Sequence, residues 1–442
     1  MKINFLQQII SGGVAKVFSA LVGFLLVSVS IRFLGGEKYG LWMSLYTFVT
    51  WFSMLDFGIG GGLRNKLSES LAEKDYQKAK EYVSTAYISL AAICSGLIVA
   101  FVVFSQFINW ESVFSLDPNL VSVDDSVAII QLTIVTFLTT LFFKLCVNVS
   151  FSYHKSQHST YVFLAQQLLG LIVVFTFNYH GESGFEAFIV YGFVINAANF
   201  LVLVLFNLYV FISLAPELKP SLKCFHFDKL KSVFNLGGKI FLIQICAVCL
   251  YSTDIFLLNK YDAAISATQY AVLQKYFGIA VFASSILVAP VWSAITSLKN
   301  SGDLSELRRF YQKLLKLFSG IFLMLLVLYF SFQYVAPIWL GDTVSFQSNS
   351  ILLMAVYTGI LIYLQLLSSF LNGYGAVFVQ LIFASFAAVV NIVATVWVLK
   401  VMNGTVEHAL MISIIVNVPS VIVFSVQVSK LLNTQAKGVW AK

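Results

Sequence analysis

The chain has 442 residues, of which 59% are hydrophobic and only 11% are charged. An ordinary soluble domain carries about 25% charged residues, so this composition excludes a soluble globular protein. The formal net charge of +7 would suit a nucleic-acid partner. The basic residues, however, lie in short loops beside long apolar stretches, which predicts a membrane protein without a nucleic-acid partner.

About twelve apolar stretches follow one another along the chain. A hydrocarbon core ~30 Å thick is crossed by roughly 20 apolar helical residues, and a backbone in lipid must satisfy its own hydrogen bonds. The sequence therefore predicts an all-α integral membrane protein with about twelve transmembrane helices. The expected spans are residues 9–34, 40–63, 82–108, 126–151, 160–178, 185–214, 236–258, 267–296, 314–336, 350–371, 376–399 and 406–430.

The loops between these stretches alternate between rich and poor in Lys and Arg. With the amino terminus inside, 21 of the 27 basic residues fall on the cytoplasmic side. The positive-inside rule then places both termini in the cytoplasm. The first apolar stretch follows a Lys, as in a secretory signal, but it lacks a small-residue cleavage site and is expected to be a retained helix.

The longest inner connector follows the sixth span and carries Pro216 and Pro220. We expect it, as residues 216–235, to separate an N-terminal six-helix lobe of residues 1–215 from a C-terminal six-helix lobe of residues 236–442.

The two halves resemble each other weakly. Gly12-Gly13 is matched by Gly237-Gly238, and the basic loop at residues 75–82 is matched by residues 303–311, at offsets of 225 and 228. Similar offsets in two separate places favour a parallel duplication.

Ionisable residues inside the predicted spans are the next signal. Each costs ~2.5 to 3.5 kcal/mol at mid-bilayer unless it has a partner or faces water, so we expect an interior cavity. Positive charges exceed negative ones, and Arg64 at the inner end of the second span adds to them, which favours a phosphate or diphosphate ligand. The five such residues that lie away from the span ends are Lys16, Asp56, Lys144, Asp254 and Lys275.

Simpler roles remain open for several of these residues. Asp254 and Lys275 would neutralise each other if they paired. The side chains of Lys16, Arg64 and Lys144 lie close enough to the inner boundary to snorkel to the headgroups.

Four glycines lie between Asp56 and Arg64, which are separated by eight residues, or ~12 Å of helix. Glycine destabilises a helix by roughly 1 kcal/mol relative to Ala. The pattern predicts a hinge between a buried acid and an inner-surface base; the alternative is a tight helix-packing face. The hinge residues are Gly58, Gly60, Gly61 and Gly62.

Other polar residues in the spans are weaker signals. His154 and His158 have a metal-binding spacing without a companion carboxylate, and Cys246 and Cys249 form C-x-x-C on an apolar helix, so neither a metal nor a cofactor is expected. Amides within the spans, such as Asn391, are expected to bond between helices.

Several motifs together resemble one family. Residues 34–42 (LGGEKYGLW), residues 55–60 (LDFGIG) and Leu63-Arg64-Asn65 resemble the opening of bacterial Wzx-type flippases, polysaccharide transporters of the MOP superfamily. Later segments fit as well: residues 237–241, Gln244, Asp254, residues 290–294 and residues 338–341. The resemblance covers essentially the whole chain; the first 85 residues are the most specific, and the last two spans match only in hydropathy.

This resemblance implies two six-helix lobes around a central cavity. It implies transport of an undecaprenyl-diphosphate-linked oligosaccharide, an O-antigen or capsule repeat unit, to the periplasmic leaflet of the bacterial inner membrane by alternating access. Lys16, Arg64, Lys144 and Lys275 would bind the diphosphate sugar, and Asp56 and Asp254 would be coupling or gating acids for H⁺ or Na⁺. A polysaccharide polymerase and a chain-length regulator are the implied protein partners, besides membrane lipid.

This chain departs from such relatives in one respect. The basic residues away from its span ends are all Lys, whereas arginines are frequent in the family, so those positions offer a point charge rather than a bidentate contact. Alternatives are a cation-coupled drug exporter on the same fold, an integral-membrane polymerase or glycosyltransferase, and a structural scaffold. The short outer loops argue against an enzyme.

Overall fold

A computed structural model describes residues 5–51, 58–119, 121–153, 155, 157–179, 186–233, 252–301, 303–341, 343–376 and 378–441. Every regular element in this part of the chain is helical, as the all-α prediction requires. The chain divides into two compact units, Met1–Ile245 and Cys246–Lys442.

The first unit contains eight α-helices within the described residues, followed by short turns of π and 3₁₀ helix over residues 210–224 and a helical segment that begins at residue 227. The helices are α1 (Phe5–Leu34), α2 (Gly36–Trp51), α3 (Ile59–Ala72), α4 (Tyr76–Ser105), α5 (Trp110–Phe114), α6 (Val123–Ser152), α7 (Gln157–Tyr179) and α8 (Glu186–Tyr209).

The second unit contains six further α-helices within the described residues and ends in a 3₁₀ turn at Gly438–Ala441. The helices are α9 (Asp254–Tyr261), α10 (Ala264–Ser301), α11 (Leu304–Leu340), α12 (Ser348–Tyr374), α13 (Phe378–Val401) and α14 (Val406–Leu432).

In the described ranges, nine helices are long and apolar enough to cross a bilayer, and the chain is a multi-pass membrane protein. Most predicted spans coincide with a helix to within a few residues; the tenth, 350–371, corresponds to α12. The second predicted span, 40–63, is wrong as one continuous helix, because Gly58 has a φ of +76° and α3 begins only after it. Most of the seventh, 236–258, lies outside the described residues.

The proposed repeat has a structural counterpart at one of its two places. Asp75 precedes α4 and accepts a hydrogen bond from the backbone N–H of Lys78 over 2.9 Å. Asp303 precedes α11 and accepts from the N–H of Glu306 over 2.9 Å. Both acids cap their helices in the same way, satisfying an otherwise unpaired amide. The other place, Gly237-Gly238, lies outside the described residues.

The described part of the connector packs on α4 of the first unit. The N–H of Ser221 donates to Oγ of Ser84 over 3.1 Å, and the N–H of His226 donates to Oγ1 of Thr85 over 3.1 Å. Lys229 lies 3.5 Å from Glu81 at the same end of the helix. These contacts fix residues 216–233 to the first unit.

Candidate functional site: a buried acid and exposed cations

Asp254 is the first residue of α9 and is 1% exposed. The Tyr270 hydroxyl on α10 donates to its Oδ2 over 2.7 Å. The Ser413 hydroxyl on α14 donates to the same oxygen over 3.1 Å, and Nδ2 of Asn391 on α13 lies 3.5 Å from Oδ1. We call Asp254, Tyr270, Asn391 and Ser413 the Asp254 cluster.

Neighbouring turns of α13 and α14 extend this cluster. The Ser413 hydroxyl also lies 3.2 Å from Oδ1 of Asn391, and one turn later Asn417 donates to the Ser413 carbonyl over 2.8 Å. Thr395 lies one turn beyond Asn391 and is fully buried, and its hydroxyl has no hydrogen-bond partner among the described residues.

The side-chain oxygen atoms here belong to a carboxylate, hydroxyls and amides, and all of them are hard ligands in the sense of metal coordination. Such donors suit a small hard cation, and a buried carboxylate also accepts a proton. The groups come from four helices. Protonation of Asp254, or binding of a cation to it, would therefore change contacts of all four helices at once. The arrangement therefore has the chemistry of a cation or proton site.

The alternative that Asp254 pairs with Lys275 is wrong. Tyr270, Ser413 and Asn391 hold the carboxylate, and no ion pair joins it to Lys275 in the described structure. Lys275 lies on α10 five residues after Tyr270, and its side chain is exposed. Five residues correspond to a rotation of about 500°, so the two side chains lie about 140° apart around the helix axis.

The other candidate cations, Lys16 on α1, Arg64 on α3 and Lys144 on α6, are also exposed. Arg64 is held in place from two sides. Its guanidinium lies 4.5 Å from the centroid of the Phe151 ring, and its carbonyl accepts from the Ser152 hydroxyl over 3.0 Å.

Arg64 and Lys144 meet the same face of α6. Phe151 follows Lys144 by seven residues, two helical turns and ~10 Å along the axis. The guanidinium over Phe151 therefore lies above the face from which Lys144 projects. Helical spacing therefore assigns Lys144 to the same face of α6 as the ring that Arg64 contacts.

The glycines of this segment differ in their local structure. Gly58 has a left-handed backbone at the start of α3, a conformation that glycine adopts without strain. Gly62 instead permits a close approach: a Cβ there would lie 2.3 Å from the carbonyl oxygen of Val233. Gly60 is buried and Gly61 half-buried. Asp56, the acid beyond the glycines, lies outside the described residues.

The histidine pair is described only in part. His158 contacts the Ser150 hydroxyl over 3.3 Å and packs edge-on against Phe206. His154 and the Cys246–Cys249 pair lie outside the described residues.

Sequence reasoning missed Tyr270 and Ser413. A single polar residue in an apolar helix gives no periodic signal, and these lie 16 and 159 positions from Asp254. Asn391 does bond between helices, as expected of an amide in a span, and its partner is the carboxylate.

No family model matches the chain, but curated relatives match part of it. A Yersinia pseudotuberculosis protein, provisionally assigned as an O-antigen export protein, is 24% identical over 63% of this chain and 62% of its own length. A Salmonella typhimurium protein, provisionally assigned as an O-antigen transporter, is 22% identical over 65% of this chain and 64% of its own. The chain thus spans slightly less than two thirds of these relatives.

Solved structures match over nearly the whole length. An inward-facing multidrug resistance MATE family transporter of the MOP superfamily aligns with a TM-score of 0.74 at 12% identity, covering 97% of this chain and 100% of the other. A MOP superfamily transporter from Pyrococcus furiosus aligns with a TM-score of 0.62 at 13% identity, covering 98% and 96%. At these identities the likeness establishes the fold. The chain has the fold of MATE transporters of the MOP superfamily and is related in sequence to proteins assigned to O-antigen export, which confirms the resemblance in its motifs.

Proposed function

We propose that the chain is a transporter that moves a lipid-linked oligosaccharide from the cytoplasmic to the periplasmic leaflet of the bacterial inner membrane. The names of its sequence relatives support an O-antigen repeat unit as cargo. The MATE fold supports a carrier rather than an enzyme. The Asp254 cluster carries the transport part of the proposal, because ionisable groups buried in membrane bundles are costly and rare and typically mark functional sites.

In this proposal the exposed cations bind the diphosphate. Arg64 and Lys144 share one surface of the first unit, so two positive charges would meet one phosphorylated headgroup. Arg64 offers a planar fork for phosphate oxygens, whereas Lys144 offers a point charge. Lys16 and Lys275 are exposed on their helices and would contact the same headgroup at other stages of transport.

The Asp254 cluster would couple this movement to an ion. Binding of H⁺ or Na⁺ removes or compensates the charge of Asp254 and so changes the hydrogen bonds that join α9, α10, α13 and α14. A ligand drives a conformational change only through a difference in its affinity for the two states. Asp56 would be the corresponding acid of the first unit.

The polyprenyl tail would remain in the lipid, because burying it among cations yields no hydrophobic gain. Alternating access then requires only the headgroup to enter the protein. A polysaccharide polymerase and a chain-length regulator would receive the translocated unit.

A drug exporter is the second candidate, because the matched MATE structure is titled a multidrug resistance transporter. Cationic drugs favour an acid-lined site, whereas away from their ends the predicted spans of this chain hold two acids and three lysines. One experiment separates the two functions. The full chain is expressed in a strain that lacks its own O-antigen transporter, and surface polysaccharide and cationic-dye efflux are both measured.

Restored surface polysaccharide without dye efflux supports the proposal. Dye efflux without polysaccharide would replace it with drug export. Export of neither, with the protein present in the membrane, would contradict both.

A further inference from the structure

One helix, α11, is longer than the membrane requires. Residues 317–340 form an uncharged run of 24 residues, which as a helix measures ~36 Å and fills a hydrocarbon core of ~30 Å. Lys316 therefore lies at the boundary of the hydrocarbon. Lys313 and Arg309 follow ~5 and ~10 Å further out along the axis, within the headgroup layer.

These three cations lie on one face of the helix. Their spacing of four and three residues places them one above the other, and all three are exposed. The opposite face is packed: Leu307 and Leu314, seven residues apart, are 1% and 2% exposed.

The same outer face continues into the membrane as an apolar surface. Leu323, Val327 and Tyr334 are 63%, 61% and 69% exposed, and their positions follow the cations at helical spacing. A face that is apolar and uncovered within a membrane span contacts lipid. The cations on that face, about two to four turns before Leu323, consequently point at lipid headgroups.

In the described part of the chain, acidic side chains do not pair with Arg309, Lys313 or Lys316. The nearest acids in sequence are Asp303, which caps the helix, and Glu306. Neither forms an ion pair with Arg309, Lys313 or Lys316 in the described part of the chain. Arg308, by contrast, donates to the Leu432 carbonyl over 2.9 Å and is engaged by the protein.

We propose that Arg309, Lys313 and Lys316 form a binding site for the headgroup of an anionic phospholipid. The positive-inside rule assigns this end of α11 to the cytoplasmic leaflet. The three cations lie at successive depths in the headgroup layer and would contact the lipid phosphate. The apolar face beyond them would contact the acyl chains. The site is independent of the proposed transport function.

The test uses the purified full chain in non-ionic detergent. Binding of phosphatidylglycerol is titrated by native mass spectrometry, together with the thermal unfolding midpoint. Each basic residue near an anionic bilayer surface changes affinity about fivefold, so the triple variant R309Q/K313Q/K316Q is expected to bind about 100-fold more weakly. The charge-conserving variant R309K/K313R/K316R is expected to bind as the natural chain does.

A matched control removes three exposed cations elsewhere: K219Q/K223Q/K437Q. It is expected to retain phosphatidylglycerol binding. Equal weakening in this control, equal binding of phosphatidylcholine, or an equal rise in midpoint with inorganic phosphate alone would overturn the proposal. If the triple variant fails to fold, the single variant K313Q and the charge-conserving triple variant test the proposal instead. Unchanged phosphatidylglycerol binding by K313Q, or loss of binding in the charge-conserving variant, would also overturn the proposal.

Discussion

The hydroxyl of Tyr270 donates to Oδ2 of Asp254 over 2.7 Å, inside a membrane bundle where both residues are buried. A carboxylate in such surroundings is stable only with donors around it. Removing the charge of Asp254 or one of its hydrogen-bond donors should therefore change the stability of the Asp254 cluster.

The first prediction concerns the charge of Asp254. Asp254→Asn keeps the shape of the side chain and removes the acid. If the acid couples transport, surface polysaccharide should fall at least tenfold while the protein remains in the membrane. Asp262→Asn is the control, because Asp262 lies at the end of the same helix and is exposed; it should export normally. Equal export by both variants at matched expression would remove Asp254 from the mechanism.

The second prediction concerns the Tyr270 hydroxyl. Tyr270→Phe keeps the ring and leaves one carboxylate oxygen with only Ser413 as a donor. Loss of one buried hydrogen bond costs about 1 to 3 kcal/mol, so the thermal unfolding midpoint should fall. Transport should also depend differently on external pH or Na⁺ concentration. The control is Tyr334→Phe, since Tyr334 is 69% exposed on α11; an unaltered ion dependence in Tyr270→Phe would argue for a purely structural tyrosine.

The third prediction concerns the close approach at Gly62. In Gly62→Ala the new Cβ would meet the Val233 carbonyl oxygen at 2.3 Å, and backbone must shift, at a cost of about 1 to 3 kcal/mol. Gly96→Ala is the matched control because nothing lies within 4 Å of its Cβ position, and alanine there favours the helix by up to ~1 kcal/mol. Unfolding midpoints in detergent should therefore move in opposite directions. A harmless Gly62→Ala would mean that α3 and residue 233 do not pack this closely.

The fourth prediction concerns the cations on one face of the first unit. Lys144→Gln should weaken binding of a diphosphate-bearing lipid relative to the natural chain. Lys144→Arg should bind this lipid at least as tightly as the natural chain, because the Arg guanidinium makes two parallel hydrogen bonds to phosphate. Arg64→Lys should weaken binding, since Lys offers the phosphate a point charge and replaces the guanidinium that contacts the Phe151 ring. The readout is the affinity of the purified chain for undecaprenyl diphosphate. Unchanged affinity in Lys144→Gln and Arg64→Lys would assign these residues to the headgroup boundary instead.

The helices were largely predictable from the sequence because bilayer thickness imposes a length on any apolar run. The expected span 376–399 and α13 (Phe378–Val401) differ by two residues at each end. Hydropathy did not predict the polar ends of helices. α11 begins at Leu304, ten residues before its expected span. Its first turns are polar, so hydropathy does not detect them, and the Asp303 cap stabilises them.

The site was only partly predictable. Asp254 stood out because acids are rare in spans, but its partners come from three other helices and share no spacing with it. Hydropathy also did not predict that α3 begins as a separate helix after Gly58, because hydropathy carries no information on the left-handed backbone of that glycine. The position of Lys275 was predictable as a charge in a span, but its side-chain direction depended on packing.

The most direct test of the account is translocation by the purified chain in proteoliposomes. A fluorescent undecaprenyl-diphosphate oligosaccharide is placed in one leaflet, an H⁺ or Na⁺ gradient is imposed, and its appearance in the other leaflet is timed. We expect the natural chain and Asp262→Asn to translocate the lipid in a gradient-dependent way, and Asp254→Asn to lose this translocation. Translocation that proceeds equally in Asp254→Asn, or that ignores both gradients, would contradict the claim that the buried Asp254 cluster couples transport to an ion.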